Sequence, residues 1–205
     1  MIYLSDDYLT KYSDTLSYLI GRANHEGFSF DYIEKMISYS IPINEFEKSN
    51  VTQFAFSSLE KLYSEIFPTN DNDYTLDVYG IFGWVGYTYM HLFLTLEITF
   101  EALFFIIPIN EMLNLYHLYH EMDFNQMLDY VKEKTKYSLL DVIMKRKNYS
   151  NKDLSNKTKI SVSTINAIRY GKRDISKLEA DKLLLISHFL NVKMETILPN
   201  IHLNK

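Results

Sequence analysis

Hydrophobic side chains recur three and four positions apart along most of the chain. This spacing has the 3.6-residue period of an α-helix with one buried face. Only Val51–Phe56 fits the period of a strand equally well. The pattern predicts an all-α protein whose first apolar stripes contain Leu9, Tyr12, Leu16, Leu19 and Ile20, then Phe30, Ile33, Met36 and Ile37, then Leu59, Leu62, Tyr63 and Ile66.

Polar residues that initiate helices occur in register with these stripes. Ser57 and Glu60 have the spacing of a capping box before the third stripe, and Asp123 and Gln126 repeat it before a later apolar run. Pro68–Asp73 is a cluster of turn-forming residues. The chain is therefore expected to contain short helices joined by tight connections.

One apolar segment is nearly long enough to span a membrane. From Val78 to Leu96, nineteen residues pass without Asp, Glu, Lys or Arg, close to the ~20 that span a bilayer. Its Gly, Tyr and His residues make it only mildly apolar, and neither end is flanked by Lys or Arg. We predict a buried central helix and no membrane association. The spacing Gly80-x-x-Gly83-x-x-Gly86 predicts close helix packing and not a phosphate-binding loop.

Charge divides the chain into two parts. Residues 1–135 contain 7 Lys/Arg and 20 Asp/Glu, a net charge of −13, whereas residues 136–205 contain 14 and 6, a net charge of +8. A basic domain is typical of a protein that binds a polyanion. We predict an acidic helical domain over 1–135 and a second domain over 136–205. The absence of cysteine fits a reducing cytoplasm and excludes thiolate metal sites.

The basic segment predicts two short helices separated by a tight turn. Ser150 and Asp153 have capping-box spacing before the first, and Ser161 is an N-cap for the second. Gly171 ends the second helix, because glycine tolerates the positive φ of a helix terminus. The inner face of this helix contains Ile160, Ile165 and Ile168, and its outer face Val162, Ser163, Thr164, Asn166, Ala167 and Tyr170.

Further signals extend this pattern to the C-terminus. Lys172 and Arg173 follow the second helix in an exposed turn, and Ser176 and Glu179 have the spacing of another capping box. A last short helix is predicted over Met194–Leu198.

The order of five helices over Leu139–Pro199 resembles the lambda repressor and Cro-like family of helix-turn-helix domains, often called the Xre family. Four positions depart from the family pattern. Lys159 stands where the family usually has Gly, Ser155 where Ala is common, Arg169 where Glu is common, and Asp174 near a frequent Pro. The resemblance is carried by Ser150-Asn151, Leu154, Ile160-Ser161, Ile165, Gly171-Lys172 and Leu190–Leu198.

This resemblance implies binding of double-stranded DNA. The helix Ser161–Tyr170 would enter the major groove, with Ser163 and Asn166 as the leading base-reading candidates and Val162 or Ala167 against thymine methyls. Asn151 can contact either bases or phosphates. The phosphate candidates are Lys152, Lys157, Lys172 and Arg173, and Ser161, Thr164 and Tyr170 complete the predicted DNA-binding set.

The acidic domain carries weaker functional signals. His117 and His120 lie near Glu121 and Asp123, which suggests a metal site or acid–base chemistry. The His-Glu-x-x-His spacing and a second ligand cluster are both missing. We therefore predict structural or interfacial histidines, no catalytic residues, no metal and no cofactor. Glu97 and Glu101, four apart, are interpreted as one polar stripe of an amphipathic helix.

Three segments of the acidic domain are faintly similar to an uncharacterised helical module. The module precedes such helix-turn-helix domains in Gram-positive bacteria and their mobile elements. The segments are Trp84–Tyr89, Ile107–Met112 and Leu118–Asp123. The similarity favours a regulator or an antitoxin-like protein over an enzyme.

Three functions remain open at this point. The first is a transcriptional regulator, a repressor that binds DNA as a homodimer through an N-terminal domain that dimerises or senses a signal. The second is an antitoxin or inhibitor, whose acidic domain covers a basic protein partner while the C-terminal domain represses its own operon. The third and least favoured is an enzyme such as a nuclease, using His117 and His120.

Overall fold

The computed structural model describes residues 6–48, 58–68, 74, 75, 77 and 80–198. The chain divides into two compact units, Met1–Asp123 and Phe124–Lys205. Within the described ranges every regular element is a helix, so the all-α prediction is confirmed. The unit boundary precedes the point where the charge changes sign, so the helix at 124–134 belongs to the C-terminal unit.

Seven helices form the described part of the N-terminal unit. They are α1 Asp6–His25, α2 Phe30–Tyr39, α3 Ile41–Glu47, α4 Leu59–Ile66, α5 Ile81–Leu96, α6 Phe100–Ile106 and α7 Ile109–Tyr119. The C-terminal unit contains α8 Phe124–Lys134, α9 Leu139–Arg146, α10 Asn151–Thr158, α11 Val162–Arg169, a 3₁₀ turn Ile175–Lys177, α12 Ala180–Leu190 and α13 Met194–Ile197.

The apolar stripes form the core of the N-terminal unit. Tyr12, Leu16 and Ile20 of α1 are fully buried, as are Ile33 and Ile37 of α2. The start of α4 lies one residue later than expected: Ser58 is the N-cap, and its side chain accepts a hydrogen bond from the amide of Lys61. The described residues do not include Ser57, Val51–Phe56 or most of Pro68–Asp73, for which the sequence also made predictions.

Helix α5 is the buried central helix that the glycine-rich segment predicted. It packs along α1, and a Cβ on Gly86 would lie 2.5 Å from the backbone nitrogen of Ser17 and 2.8 Å from the carbonyl oxygen of Ser13. Only glycine allows the two backbones to approach this closely, so the prediction of close packing is confirmed. The hydroxyl of Ser17 also donates to the carbonyl of Gly83 at 3.3 Å.

No single helix in the described ranges is long and apolar enough to cross a membrane. Helices α5 and α6 pass that test of length and composition only as a pair, and they are bent by 112° at the break between them.

The break between α5 and α6 also corrects the interpretation of Glu97 and Glu101 as one polar stripe. Glu97 ends α5 in the left-handed region with φ 53°, and Glu101 lies buried in the first turn of α6. The carboxylate of Glu101 accepts a hydrogen bond from the hydroxyl of Tyr39 at 2.5 Å. This bond ties α2 to α6, and burial followed by the bond raises the pKa of Tyr39.

Two carboxylates from distant helices cap the starts of α6 and α7. Glu47 of α3 accepts from the backbone amide of Phe100 at 2.7 Å, and Glu34 of α2 accepts from the amide of Ile109 at 2.7 Å. The first amides of a helix lack partners within it, and the positive end of the helix dipole favours a negative charge. These bonds fix α2 and α3 against the second half of the unit.

In the C-terminal unit, α10 packs on α11 and α12, and α9 packs on α11. Ile143, Leu154 and Ile165 are fully buried at the centre. The expected capping box of Ser176 and Glu179 is wrong. Asp174 accepts from the amide of Ser176 at 2.9 Å, which places Ser176 in the 3₁₀ turn. Glu179 is the N-cap of α12, but its side chain makes no capping hydrogen bond and accepts instead from Lys182.

Candidate nucleic-acid interface

The capping box at the start of α10 is confirmed. Ser150 accepts from the amide of Asp153 at 3.2 Å, and the Asp153 carboxylate accepts from the Ser150 amide at 2.8 Å and from its hydroxyl at 2.6 Å. Both bonds to the carboxylate lower the pKa of Asp153, the bond from the hydroxyl most. The exposed start of α10 is therefore capped by contacts between residues three positions apart.

The turn between α10 and α11 has the geometry that the family pattern implies. Lys159 adopts φ 60° and ψ 14°, the left-handed conformation for which glycine is usual. Ile160 is buried beside it, and Ser161 then caps α11 by accepting from the amide of Thr164 at 3.1 Å. The turn therefore forms despite the strain at Lys159, because both flanking helices are capped and packed.

Helix α11 buries one face and exposes the other, as its pattern predicted. Ile165 and Ile168 are buried, whereas Ser163 and Asn166 are exposed and Thr164 and Ala167 half-buried. The hydroxyl of Ser161 lies 2.9 Å from those of both Ser163 and Thr164. Two large apolar side chains also face solvent at the ends of the helix, Val162 at 43% and Tyr170 at 42% exposure.

Gly171 ends the helix in a conformation that only glycine fits. Its φ is 70°, and a Cβ there would lie 2.7 Å from the carbonyl oxygen of Tyr137. The amides of Lys172 and Arg173 both donate to the carbonyl of Ala167, at 2.8 and 3.0 Å. The exposed basic turn is therefore held at its backbone while its two side chains point to solvent.

A chain of side-chain contacts connects α9, α10 and the exposed face of α11. Arg169 donates through Nε to Asp141 at 2.7 Å and through Nη1 to the Asn151 oxygen at 2.8 Å. The Asn151 amide then donates to Asn166 Oδ1 at 3.1 Å. Lys145 approaches the other Asp141 oxygen at 2.6 Å. Asn151 and Asn166, predicted independently as DNA contacts, are thus orientated by Arg169.

Sequence reasoning missed the residues that hold this network of side-chain contacts together. Asp141 is almost fully buried, and Arg169 stands where the related domains commonly have Glu. The hydroxyl of Ser138 adds a bond to the carbonyl of Arg169 at 2.8 Å while capping α9. An acidic residue in α9 and a basic residue at the end of α11 carry opposite charges, but 28 positions separate them. Sequence spacing alone gives no reason to pair them.

The four predicted phosphate contacts all lie on the surface. Lys152 and Lys157 project from α10, and Lys172 and Arg173 from the turn after α11. None of the four forms an ion pair with the described residues, so their charges are available to a polyanion. In the sequence, two of these residues precede α11 and two follow it.

His117 and His120, the two histidines considered as metal ligands, have ordinary surroundings. His120 is the C-cap of α7, its Nδ1 lying 2.8 Å from the carbonyl oxygen of Tyr116, and its ring stacks on that of Tyr116 with centroids 4.5 Å apart. His117 is exposed. In the described part of the chain no three His, Asp or Glu residues converge on a point where a metal ion could be held.

Residues 139–199 match the family of Cro/C1-type HTH DNA-binding domains. The resemblance of the C-terminal segment to the lambda repressor and Cro-like family is confirmed, and the chain carries a DNA-binding domain of the kind found in transcriptional regulators. Comparisons with curated proteins and with solved structures find no match. The faint resemblance of the N-terminal segment stays a prediction.

Proposed function

We propose that this protein is a sequence-specific transcriptional repressor that binds operator DNA as a homodimer. The observation that carries the proposal is the family match over 139–199 together with the exposed polar face of α11. Ser163 and Asn166 read base edges in the major groove, and Val162 or Ala167 contacts thymine methyls. Lys152, Lys157, Lys172 and Arg173 contact phosphates, which fixes the orientation of α11 but carries no sequence information.

Two features support the role of Asn166 as the principal base reader. Its oxygen accepts from Asn151, which fixes the amide plane, and the described residues offer its nitrogen no partner. A fixed amide can donate to adenine N7 while its oxygen accepts a second bond from N6. Asn151 then has a positioning role and does not need to contact a base itself.

A dimer is proposed because one recognition helix of eight residues covers few base pairs. Two copies related by a two-fold axis would contact half-sites about 10 base pairs apart on one face of the duplex. Occupation of such a site near a promoter would block transcription. The segment 1–135 is the proposed source of self-association.

The test is selection of binding sites from a random duplex library by the full-length protein, followed by titration of the selected site. We expect enrichment of a palindrome with this half-site spacing, and affinity that falls steeply with salt as counterions are restored to the DNA. Light scattering should give twice the protomer mass. A library that gives no enriched sequence would contradict sequence-specific binding, and an enriched single half-site with a monomeric mass would contradict the dimer alone.

A second candidate function is inhibition of a basic protein partner, favoured by the net charge of −13 on 1–135. Part of that charge is used internally, however, because Glu34, Glu47 and Glu101 bond to groups within their own unit. The repressor proposal therefore takes precedence. Co-purification of a stoichiometric basic protein from the native cell would reverse this order.

A further inference from the structure

The N-terminal unit contains a cleft of about 590 Å³ bordered by α1, α5 and the end of α7. Its volume lies in the range of ~300–1,000 Å³ that is usual for small-molecule sites. The residues that line the cleft do not belong to the predicted DNA-binding surface. Its lining includes Ser13, Asp14, Trp84, Tyr87, Tyr116 and His120.

Four of the eight residues that line the cleft are aromatic, and three of their rings contact each other. The rings of Trp84 and Tyr116 meet edge to face with centroids 5.6 Å apart, and His120 stacks on Tyr116. The bond from His120 Nδ1 to the carbonyl of Tyr116 fixes the position of the imidazole. Tyr87 stands at the open side with 43% of its surface exposed. Contacts within the protein therefore hold three of the four rings in place.

Two polar groups in this wall have no partner in the described part of the protein. The hydroxyl of Ser13 is buried and unbonded, and the residue is only 3% exposed. The carboxylate of Asp14 is half-buried without a hydrogen bond or an ion pair, and burial raises its pKa. A buried polar group without a partner is costly, so such groups usually mark a place where a ligand or water binds. Among the described residues, no Lys or Arg lines the cleft to neutralise Asp14.

We propose that this cleft binds a small organic cation, a quaternary or protonated amine with apolar substituents. Aromatic faces attract a cation through their quadrupole, and a carboxylate in partly desolvated surroundings adds a direct counter-charge. Asp14 provides that charge, and the rings of Trp84, Tyr87 and Tyr116 surround the apolar substituents. The carboxylate of Asp14 would repel an anion. A neutral apolar molecule would leave the Asp14 carboxylate without a counter-charge.

The chain offers a direct reporter, because Trp84 is its only tryptophan. We would titrate the full-length protein with choline while recording Trp84 fluorescence, at constant ionic strength. The reference compound is 3,3-dimethyl-1-butanol, which has the shape of choline without its charge. We expect a saturable change with choline and binding of the alcohol weaker by about tenfold or more. Absence of a saturable change, or equal affinity for both compounds, would overturn the proposal.

Variants separate the carboxylate from general effects of charge. Asp14→Asn should weaken choline binding about tenfold, whereas Asp31→Asn, which removes an exposed carboxylate in α2, should not change it. If Asp14→Asn does not fold, Tyr87→Leu provides a second test. Tyr87 is partly exposed, so the protein should tolerate the change, and loss of the ring should lower affinity several-fold. Wild-type affinity in the folded variants would contradict the proposal. DNA is absent from these measurements, so their outcome is independent of the repressor assignment.

Discussion

The two units bind the free amides at their helix starts in different ways. In the C-terminal unit, the side chains of Ser138, Ser150 and Ser161 accept from amides three residues ahead. The N-terminal unit has such caps as well. In addition, the carboxylates of Glu34 and Glu47 accept hydrogen bonds from backbone amides 75 and 53 positions away. Local caps specify each helix independently. The distant caps exist only after the unit has folded, so they couple its helices to each other.

A second difference between the units concerns how their helices are joined. In the N-terminal unit, Gly86 permits a backbone-to-backbone approach of α5 to α1. In the C-terminal unit, the exposed end of α11 is joined to α9 and α10 by the side chains of Asp141, Arg169 and Asn151. The N-terminal unit should therefore be most sensitive to added volume. The C-terminal unit should be most sensitive to loss of a charge partner.

The largest expected effect comes from Gly86→Val. A side chain there meets the backbone of Ser13 and Ser17, which cannot rotate away, so the cost should reach the upper end of overpacking, about 3 kcal/mol or more. Urea unfolding followed through Trp84 fluorescence reports on this unit selectively. Thr95→Val is the matched control, because Thr95 is exposed on the same helix. Equal midpoints for the two variants would show that the close approach does not limit stability.

Arg169→Met should have the next largest effect, this time on the C-terminal unit. Loss of one partner from a buried ion pair costs about 3–5 kcal/mol, and the retained Lys145 should reduce this to about 2–3 kcal/mol. Amide hydrogen exchange of peptides from 139–170 measures the change. Lys177→Met serves as the control, because it removes an exposed cation outside the network.

A double variant sharpens the test of this ion pair. Replacing Asp141 by Leu together with Arg169→Met removes both charges, so much of the lost stability should return. The prediction would be contradicted if the double variant were less stable than the Arg169→Met variant. Recovery of stability without recovery of specific DNA binding would further separate the structural role of the pair from its orientation of Asn151.

These differences explain how much could be predicted from the sequence. The boundaries and exposed face of α11 were predictable because Ser161, the buried isoleucines and Gly171 act within one helix. The burial of α5 was predictable from its composition. The caps by Glu34 and Glu47 and the pair of Asp141 with Arg169 were not predictable, since each joins positions that only the tertiary structure brings together. The capping box assigned to Ser176 failed because Asp174 competes for the same turn.

The next prediction concerns the exposed face of α11. Asn166→Ala should cost about 1–3 kcal/mol at the specific site and relax base preference at one position. Lys172→Ala should instead weaken binding to all sequences alike and reduce the salt dependence by about one phosphate contact. Titrations of the full-length variants with the selected operator and with an unrelated duplex measure both effects. Equal proportional losses on both duplexes for both variants would show that base readers and phosphate contacts are wrongly assigned.

The smallest expected effect tests the local caps directly, through Asp153→Ala. The folded-state pKa of Asp153 is lowered, so its contribution to stability is present above the ordinary pKa of aspartate and is lost as the pH falls through the folded value. The variant should therefore exchange faster than wild type in the amides of α10 at neutral pH, and this difference should shrink as the pH falls below 3.8, the ordinary pKa of aspartate. Asp181→Ala is the control, because Asp181 also lies in a first helical turn but outside a capping box. If both variants change equally with pH, the stabilisation comes from the helix dipole, and the hydrogen bonds between Ser150 and Asp153 add nothing measurable.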